Sequence, residues 1–403
     1  MTQTKYSIRM PHLRARRLEQ NIQNDLSWSP IVSILGMRQV GKSTLLRQIG
    51  KTYLALDDDA HLMRLEGGDW SEVEAAATPL VIDEAQKCPK LFDRLKLLSD
   101  SRKRPGQFLL TGSVRFLSRK QIRESLTGRT SLLDLLPLTL AEAHSRPLND
   151  LASHAIAGKP ERFLEWISGR RHFSIHDVES YREVGGLPGI CFKRDASIRD
   201  RMRAAHLETL LMRDLQLLIQ SRVPFVKLKA ILSTLAQVQG GAVSLSAVAR
   251  QVQLSTPTVI QHVHAFENLF ILRRHGKSWH FTDCGMAGYL GAERVENPVF
   301  HLERFVFQEL VAQMSYLHRA EHSFESWITR GGARVPFVLR VGKSPPIAIT
   351  VDPSNGATEK SLKSLTWFAK GRKERVFGLV LHAGKNAYLS SSGIPCVPYH
   401  WIA

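Results

Sequence analysis

Ile34-Leu35-Gly36-Met37-Arg38-Gln39-Val40-Gly41-Lys42-Ser43-Thr44 is the stretch that decides the fold. It has the G-x-x-x-x-G-K-[S/T] spacing of a phosphate-binding loop. The glycines let backbone N–H groups turn inward around an anion. A helix over Thr44–Ile49 would point the positive end of its dipole at the same place. Lys42 is placed to reach β- and γ-phosphates, and the Ser43 hydroxyl to ligate Mg²⁺. The stretch therefore predicts binding of ATP with Mg²⁺ by Gly36, Arg38, Gln39, Val40, Gly41, Lys42, Ser43 and Thr44.

The context agrees. Short apolar runs at Ile31–Leu35, Tyr53–Leu56, Leu80–Ile82 and Phe108–Leu110 alternate with helical stretches. Continuous apolar character marks strands covered on both faces, as in a parallel α/β sheet. The third run ends in Asp83-Glu84. Asp83 is suited to the Mg²⁺ shell, and Glu84 to orienting and deprotonating the attacking water. The fourth run leads into Thr111-Gly112-Ser113. Either Thr111 or Ser113 can sense a γ-phosphate, and a plain turn explains the pair almost as well. Arg129 follows Gly128 at a distance from the loop. An arginine there reads either as a finger stabilising transition-state charge or as an ordinary surface residue.

With 403 residues the chain is long enough for two to four domains, and its 43% hydrophobic and 23% charged residues suit an ordinary globular protein. The formal charge of +18 points to a polyanionic partner, and DNA fits better than a membrane because no apolar run approaches a spanning length. Surplus Lys and Arg kept for solubility is the plainer reading. The start, Met1 to Arg17, is basic and has no apolar signal core, so a cytoplasmic location is expected. Cys88, Cys191, Cys284 and Cys396 are far apart and form no metal-ligand pattern, which suggests reduced thiols.

Beyond the first 145 residues the pattern becomes helical and basic, broken at Gly185, Gly186 and Pro188. Residues 236–290 read as a winged helix. Ser244–Val252 gives one helix, Gln253-Leu254-Ser255 the turn, and Thr256–Leu269 a second helix with Ser255 or Thr256 as its cap and Pro257 in the first turn. Val259, Val263, Phe266 and Phe270 share the core face. Thr258, Gln261, His262 and His264 are left towards solvent, where a recognition helix would meet DNA. Arg273, Arg274, His275 and Lys277 are expected to form a basic wing that touches phosphates. A packing-only winged helix is the competing reading, because the exposed face lacks the Arg and Asn density of base reading. From residue 291 a helix over His301–Leu317 and strands at Val335–Leu339, Ile347–Val351 and Val376–Leu381 make a separate small α/β domain.

Taken together, these residues resemble a bacterial and archaeal family of AAA-type P-loop ATPases that carry a winged helix and a C-terminal nuclease-like domain. Gly36–Leu46, Val81–Gln86, Thr111-Gly112-Ser113 and Glu124–Arg129 are similar to its successive boxes. Gly185-Gly186-Leu187-Pro188, the Arg213-Asp214 pair and Phe281–Met286 are similar to its later ones. The resemblance implies a functional role for Arg129, nucleotide contact by Arg213, and a homo-oligomer that could close into a hexameric ring. It also implies a restriction-endonuclease-like C-terminal fold. The residues that such a core would use are replaced here: Pro336 stands for the acid of the first strand triplet, Thr350 for the acid of the second and Asp352 for its lysine, with Glu303 as the remaining upstream carboxylate. An inactive, structural or DNA-holding domain is expected.

The expected architecture is therefore an AAA-type P-loop domain over 1–145, a helical lid over 146–235, a winged helix over 236–290 and a nuclease-like α/β domain over 291–403. The expected activity is Mg²⁺-dependent ATP hydrolysis coupled to DNA. Glu84, Lys42 and Arg129 are the catalytic candidates, and Asp83, Ser113 and Arg213 complete the nucleotide site. The alternatives are a nucleotide-dependent switch that recruits a protein partner and, against the missing acids, an ATP-dependent nuclease.

Overall fold

The structure is a computed structural model. It describes residues 13–115, 124, 126–238, 241, 243–291, 298–318 and 322–403. Most of the basic start and Ser125 of the Glu124–Arg129 stretch lie outside the described residues.

The first sheet has strands β1 (Ile31–Leu35), β2 (Thr52–Ala55), β3 (Leu80–Asp83), β4 (Phe108–Gly112) and β5 (Thr130–Asp134) in the order β2-β3-β4-β1-β5. Every pairing is parallel. β1, β3 and β4 are buried along their whole length, which is why their sequences are apolar without alternation. The sequence did not signal β5. It is an edge strand with alternating burial and begins with polar Thr130 and Ser131.

Register decides what meets what. In the order β3-β4-β1, the fourth strand lies between the loop strand and the acid strand. Thr111 lies beside Ile34 on one side, and Leu110 beside Ile82 on the other. The carboxyl ends of all three strands therefore open onto one crevice, where ligands bind in α/β sheets.

A helix over Phe225–Gln237 packs against the helix Leu245–Val252, which packs in turn against Thr256–Asn268. The boundary expected at 236 thus falls at the end of the first of these three helices. Ser244 and Ser255 cap the second and third through their side chains. An antiparallel hairpin follows, β6 (Leu272–His275) and β7 (Ser278–Phe281).

Two expectations for this region are corrected. His262 does not face solvent: it is buried, with Nε2 hydrogen-bonded to Ser221 Oγ at 2.7 Å and Nδ1 to the Thr258 carbonyl at 2.7 Å. The hairpin is not a free basic wing either. Arg273 pairs with Asp134 of β5 at 2.9 Å. His275 is buried and hydrogen-bonds the Pro336 carbonyl at 2.8 Å, and the His280 ring stacks on Phe307 at 4.0 Å. Only Arg274 and Lys277 of the expected four are exposed. The hairpin alternates large apolar and imidazole side chains that a neighbouring sheet can bury, and helical periodicity at Thr256–Asn268 gave no sign of that neighbour.

The neighbour is a six-stranded mixed sheet, β8 (His322–Ile328), β9 (Arg334–Val341), β10 (Ile347–Asp352), β11 (Phe377–His382), β12 (Tyr388–Leu389) and β13 (Pro395–Pro398), ordered β12-β13-β11-β10-β9-β8. The helix Pro298–Leu317 fastens it to the rest of the chain. Glu309 Oε1 accepts from Leu140 N at 3.0 Å, Tyr316 Oη from Leu136 N at 2.9 Å, and Gln313 Oε1 from Leu151 N at 3.3 Å. Each of these polar side chains satisfies a backbone donor that burial would otherwise orphan.

The double-glycine turn has a similar explanation. Gly186 N donates to Asp283 Oδ2 at 2.6 Å, and Met286 N to Asp283 Oδ1 at 2.8 Å. A Cβ at Gly186 would overlap the Leu138 carbonyl, and one at Gly185 the Asp283 carboxylate. Gly185 also has φ +76°, in the region that favours glycine. Asp283 is 2% exposed, so its removal leaves the Gly186 donor buried without a partner. Asp283→Ala should lower the thermal melting point, equivalent to about 2–3 kcal/mol. An unchanged melting curve would remove the turn from the list of structural anchors.

Candidate nucleotide-binding site

Leu35 hands over to the loop at Gly36, where a Cβ would overlap the Leu135 carbonyl of the neighbouring strand's exit. Gly41 has φ +97° and starts the helix Lys42–Ile49, two residues earlier than the sequence suggested. The bare N–H groups of that first turn face the loop's interior. Lys42 is 4% exposed, and its Nζ donates to the carbonyls of Gly36 at 2.9 Å and Met37 at 3.1 Å. Burial lowers its pKa, with Glu84 and Asp83 opposing that effect. The ammonium is thus held at the loop's mouth by the loop itself.

The acids sit across β4. Thr111 Oγ1 bonds Asp83 Oδ1, and the same hydroxyl accepts from Glu84 N at 2.9 Å. Tyr53 Oη bonds the other oxygen of Asp83. Glu84 lies in the left-handed region, φ 55°, so the chain turns sharply after Asp83 and both carboxylates reach the same crevice. Ser113 Oγ donates to Glu84 Oε2 at 3.1 Å, and Gln86 Nε2 bonds the same oxygen. Both tip hydroxyls of β4 therefore act on the acids, which the sequence left open between Thr111 and Ser113.

The crevice has a volume of about 660 Å³, in the range of small-molecule sites. Its lining joins Arg38, Gln39, Gly41, Lys42, Ser43, Thr44, Asp83 and Glu84 with the apolar side chains of Leu13, Leu138, Pro188, Phe192 and Met202, and with Arg14, Arg16 and Lys193. Anion-binding groups and apolar side chains thus share one cavity, as a nucleotide requires. Ser43 and Asp83 bring a hydroxyl and a carboxylate oxygen to it, the hard donors that Mg²⁺ takes together with phosphates and waters. The donor set fits Mg²⁺ with ATP.

Arg16, missed in the sequence reading, pins the loop. It is 8% exposed, and it donates to the Val40 carbonyl at 2.7 Å, the Leu136 carbonyl at 2.5 Å and Glu142 at 3.3 Å. Tyr53, Asp57 and Gln86 were also missed. Gln86 closes the Val81–Gln86 stretch and was given no role there; for Tyr53 and Asp57 no local pattern could have announced their neighbours across strands.

Arg213 and Asp214 fall on a π-helical stretch, Thr209–Asp214, that continues the helix Ala196–Glu208. Such stretches are frequent at functional sites. Asp214 is buried and pairs with Arg38 of the loop at 3.4 Å. Arg213 pairs with Asp57 on the crevice wall at 3.6 Å and remains about half exposed. It is near the site, one ion pair removed from it.

Arg129 is not brought to the crevice of its own chain. It precedes β5 at Thr130, which pairs with Ile31 at the start of β1. That is the opposite end of the strands from the loop. There it forms a bidentate pair with Asp100, at 2.6 and 2.9 Å.

The C-terminal carboxylates have other employment. Glu303 forms a bidentate pair with Arg334, at 2.9 and 2.5 Å. Burial pushes its pKa up to about 7, with Arg334 opposing. Asp352 accepts from Ser354 N at 3.1 Å, Thr358 N and Ser361 Oγ at 2.8 Å, and Thr358 Oγ1 at 2.6 Å. It thereby braces Thr358, the cap of the helix Glu359–Lys370. Among the described residues no group of three His, Cys, Asp or Glu could hold a metal. The four cysteines are free, and no described helix is long and apolar enough to cross a membrane.

Comparison with known proteins agrees with the geometry of the first sheet. Residues 29–144 match the profile of the family described as AAA domain. Residues 175–280 match a domain of unknown function (DUF8612). Uncharacterized proteins of Mycobacterium bovis and Mycobacterium tuberculosis are each 26% identical over 266 residues, 65% of this chain and 53% of theirs. The chain thus spans about half the length of the curated relatives it matches. Among solved structures, the Walker-type ATPase of Pyrococcus abyssi is 15% identical with a TM-score of 0.43, over 70% of this chain and 97% of that one. A signal transduction ATPase with numerous domains from Pyrococcus horikoshii is 12% identical with a TM-score of 0.27, over 76% of this chain and 47% of that one. The profile match and the loop geometry make the N-terminal part a P-loop ATPase domain that binds nucleotide.

His206 yields a prediction. It is 2% exposed, and neither ring nitrogen has a partner. Burial, with Arg38 and Lys42 adding to it, pushes its pKa down to about 4. The unfolded chain therefore takes up the proton first, near the ordinary value of about 6.5. Its contribution is intact above that pH and is lost as the pH falls from about 6.5 to about 4, by up to about 3 kcal/mol. Melting curves across this range should be flatter for His206→Leu than for wild type, and parallel curves would refute the assignment.

Proposed function

We propose that this protein hydrolyses ATP with Mg²⁺ and couples turnover to DNA as an oligomer. The observation that carries the hydrolytic part is the placement of Glu84. It stands next to Asp83 at the end of β3, turned into the crevice that holds Lys42 and Ser43. When bound, Mg²⁺ would supply neutralisation of the phosphate charge. The chain's own groups do the rest. Backbone N–H groups of Gly41 to Thr44 and the Lys42 ammonium bind the phosphates, and Ser43 and Asp83 orient the cation. Glu84 takes the proton of the attacking water. The apolar side chains of the lining, Phe192 and Met202 among them, receive the nucleotide's base.

The DNA part rests on the charge of +18 and on the three helices with their hairpin, which we read as a winged helix. With the hairpin buried, contact falls to the groove beside the third helix, lined by Arg222, Lys227, Thr258 and Gln261. This is a phosphate-binding surface with little means of base reading. We read the C-terminal sheet as a nuclease-like fold without cutting activity, since Arg334 pairs with Glu303 and Asp352 is saturated by Ser354, Thr358 and Ser361. The oligomer reading would give Arg129 a role at a neighbour's site, provided that it leaves Asp100.

The buried hairpin favours a second reading, a nucleotide-dependent switch that recruits a protein partner. Steady-state ATP hydrolysis with and without duplex and branched DNA separates the two. DNA should raise turnover at low salt, and Glu84→Gln should lower it on the order of a hundredfold or more. Nucleotide binding without turnover, or turnover indifferent to DNA, would favour the switch.

A further inference from the structure

Gln86 is the least explained side chain at the site. It lies in the single turn Ala85–Lys87 that follows Glu84, and is 5% exposed. Its Nε2 faces Glu84 Oε2 and lies 3.4 Å from Ser113 Oγ. Its Oε1 is buried with no hydrogen-bond partner. The amide cannot turn over to relieve this, because its oxygen would then face a carboxylate oxygen. A buried acceptor left unpaired costs stability. An apolar side chain of the same length would avoid that cost, which offsets what the amide gains from its bonds to Glu84 and Ser113.

What the amide does is hold the base. Two donors, Gln86 Nε2 and Ser113 Oγ, converge on Oε2 of Glu84. The Glu84 backbone N–H is fixed by Thr111 at 2.9 Å. Among the described residues Oε1 of Glu84 accepts from no protein donor, and Glu84 lines the nucleotide crevice. One carboxylate oxygen is therefore tethered and the other presented. We propose that Gln86 is a positioning residue for hydrolysis, which with Ser113 anchors one oxygen of Glu84 so that the other meets the attacking water. This rests on Glu84 being the base. A general base works only within hydrogen-bond reach of its proton, and a small misplacement loses much of the rate.

The test is Gln86→Met, which keeps length and burial and removes both the donor and the orphaned acceptor. It should lower kcat on the order of ten- to a hundredfold. Affinity for the ATP–Mg²⁺ complex, measured by equilibrium binding of a non-hydrolysable analogue, should not change, and the melting temperature should stay the same or rise. Ser113→Ala should lower kcat less. The double variant should lose less than the product of the two, because both side chains act through one oxygen.

A wild-type kcat in Gln86→Met would overturn the proposal. So would a loss of kcat accompanied by weaker nucleotide binding or a lower melting temperature, which would mark Gln86 as structural. Fully multiplicative losses in the double variant would overturn it as well. Glu84→Gln, assayed beside them, separates this proposal from the reading beneath it. If that variant turns over like wild type, Glu84 is not the base and the hydrolytic assignment itself fails. If it is inactive while Gln86→Met is normal, only the role of Gln86 fails.

Discussion

Thr111 stands on the strand between the loop and the acids, and its hydroxyl ties the site together. It bonds Asp83 and receives the Glu84 backbone N–H. A hydroxyl is the one small group able to donate to a carboxylate and accept from an amide at once. That double use needs β4 inserted between β1 and β3 in parallel register. The loop, Asp83 and Glu84 are then neighbours without any long excursion of the chain. The left-handed Glu84 is tolerated because its N–H has this fixed partner.

The same insertion connects the site to the rest of the molecule. Two residues beyond Ser113, Arg115 donates through its backbone to the Asn268 carbonyl at 2.9 Å and through its side chain to Asp134 at 2.8 Å. Asp134 also holds Arg273 of the hairpin. The hairpin then meets the C-terminal sheet through His275, and the helix Pro298–Leu317 returns to the segments that follow β5 through Glu309, Gln313 and Tyr316. Burial pushes the Glu309 carboxyl up to about 8, so it sits largely protonated at neutral pH in this joint. These polar ties between buried elements leave each module little freedom to move without strain in its neighbour.

The C-terminal cleft shows how buried acids are accommodated. Glu303, Thr350 and Asp352 line one cavity of about 460 Å³. Arg334 provides the positive charge facing Glu303, and Asp352 holds Thr358, the cap of the following helix. The sequence showed Pro336 and Thr350 on these strands. It did not show Arg334, whose pairing partner lies on a helix in a different part of the domain.

Local chemistry was legible in the sequence because it depends on spacing along the chain. The loop from Gly36 to Thr44, the acids Asp83 and Glu84, the caps Ser244 and Ser255, and the apolar runs of β1, β3 and β4 all follow from backbone geometry within a few residues. What joins distant segments was not legible. Tyr53 reaches Asp83 because β2 lies beside β3, Arg16 reaches Val40 and Leu136 across the loop, and Arg129 sits at the wrong end of β5. His262 and the hairpin cations were assigned to solvent because helix and strand periodicity reports which face is apolar, and neither reports what packs against a polar face. Sequence by itself determined the phosphate site and the elements that carry it. Tertiary structure decided which polar groups are buried between modules, because burial of a charge or an imidazole depends on partners whose distance along the chain carries no pattern.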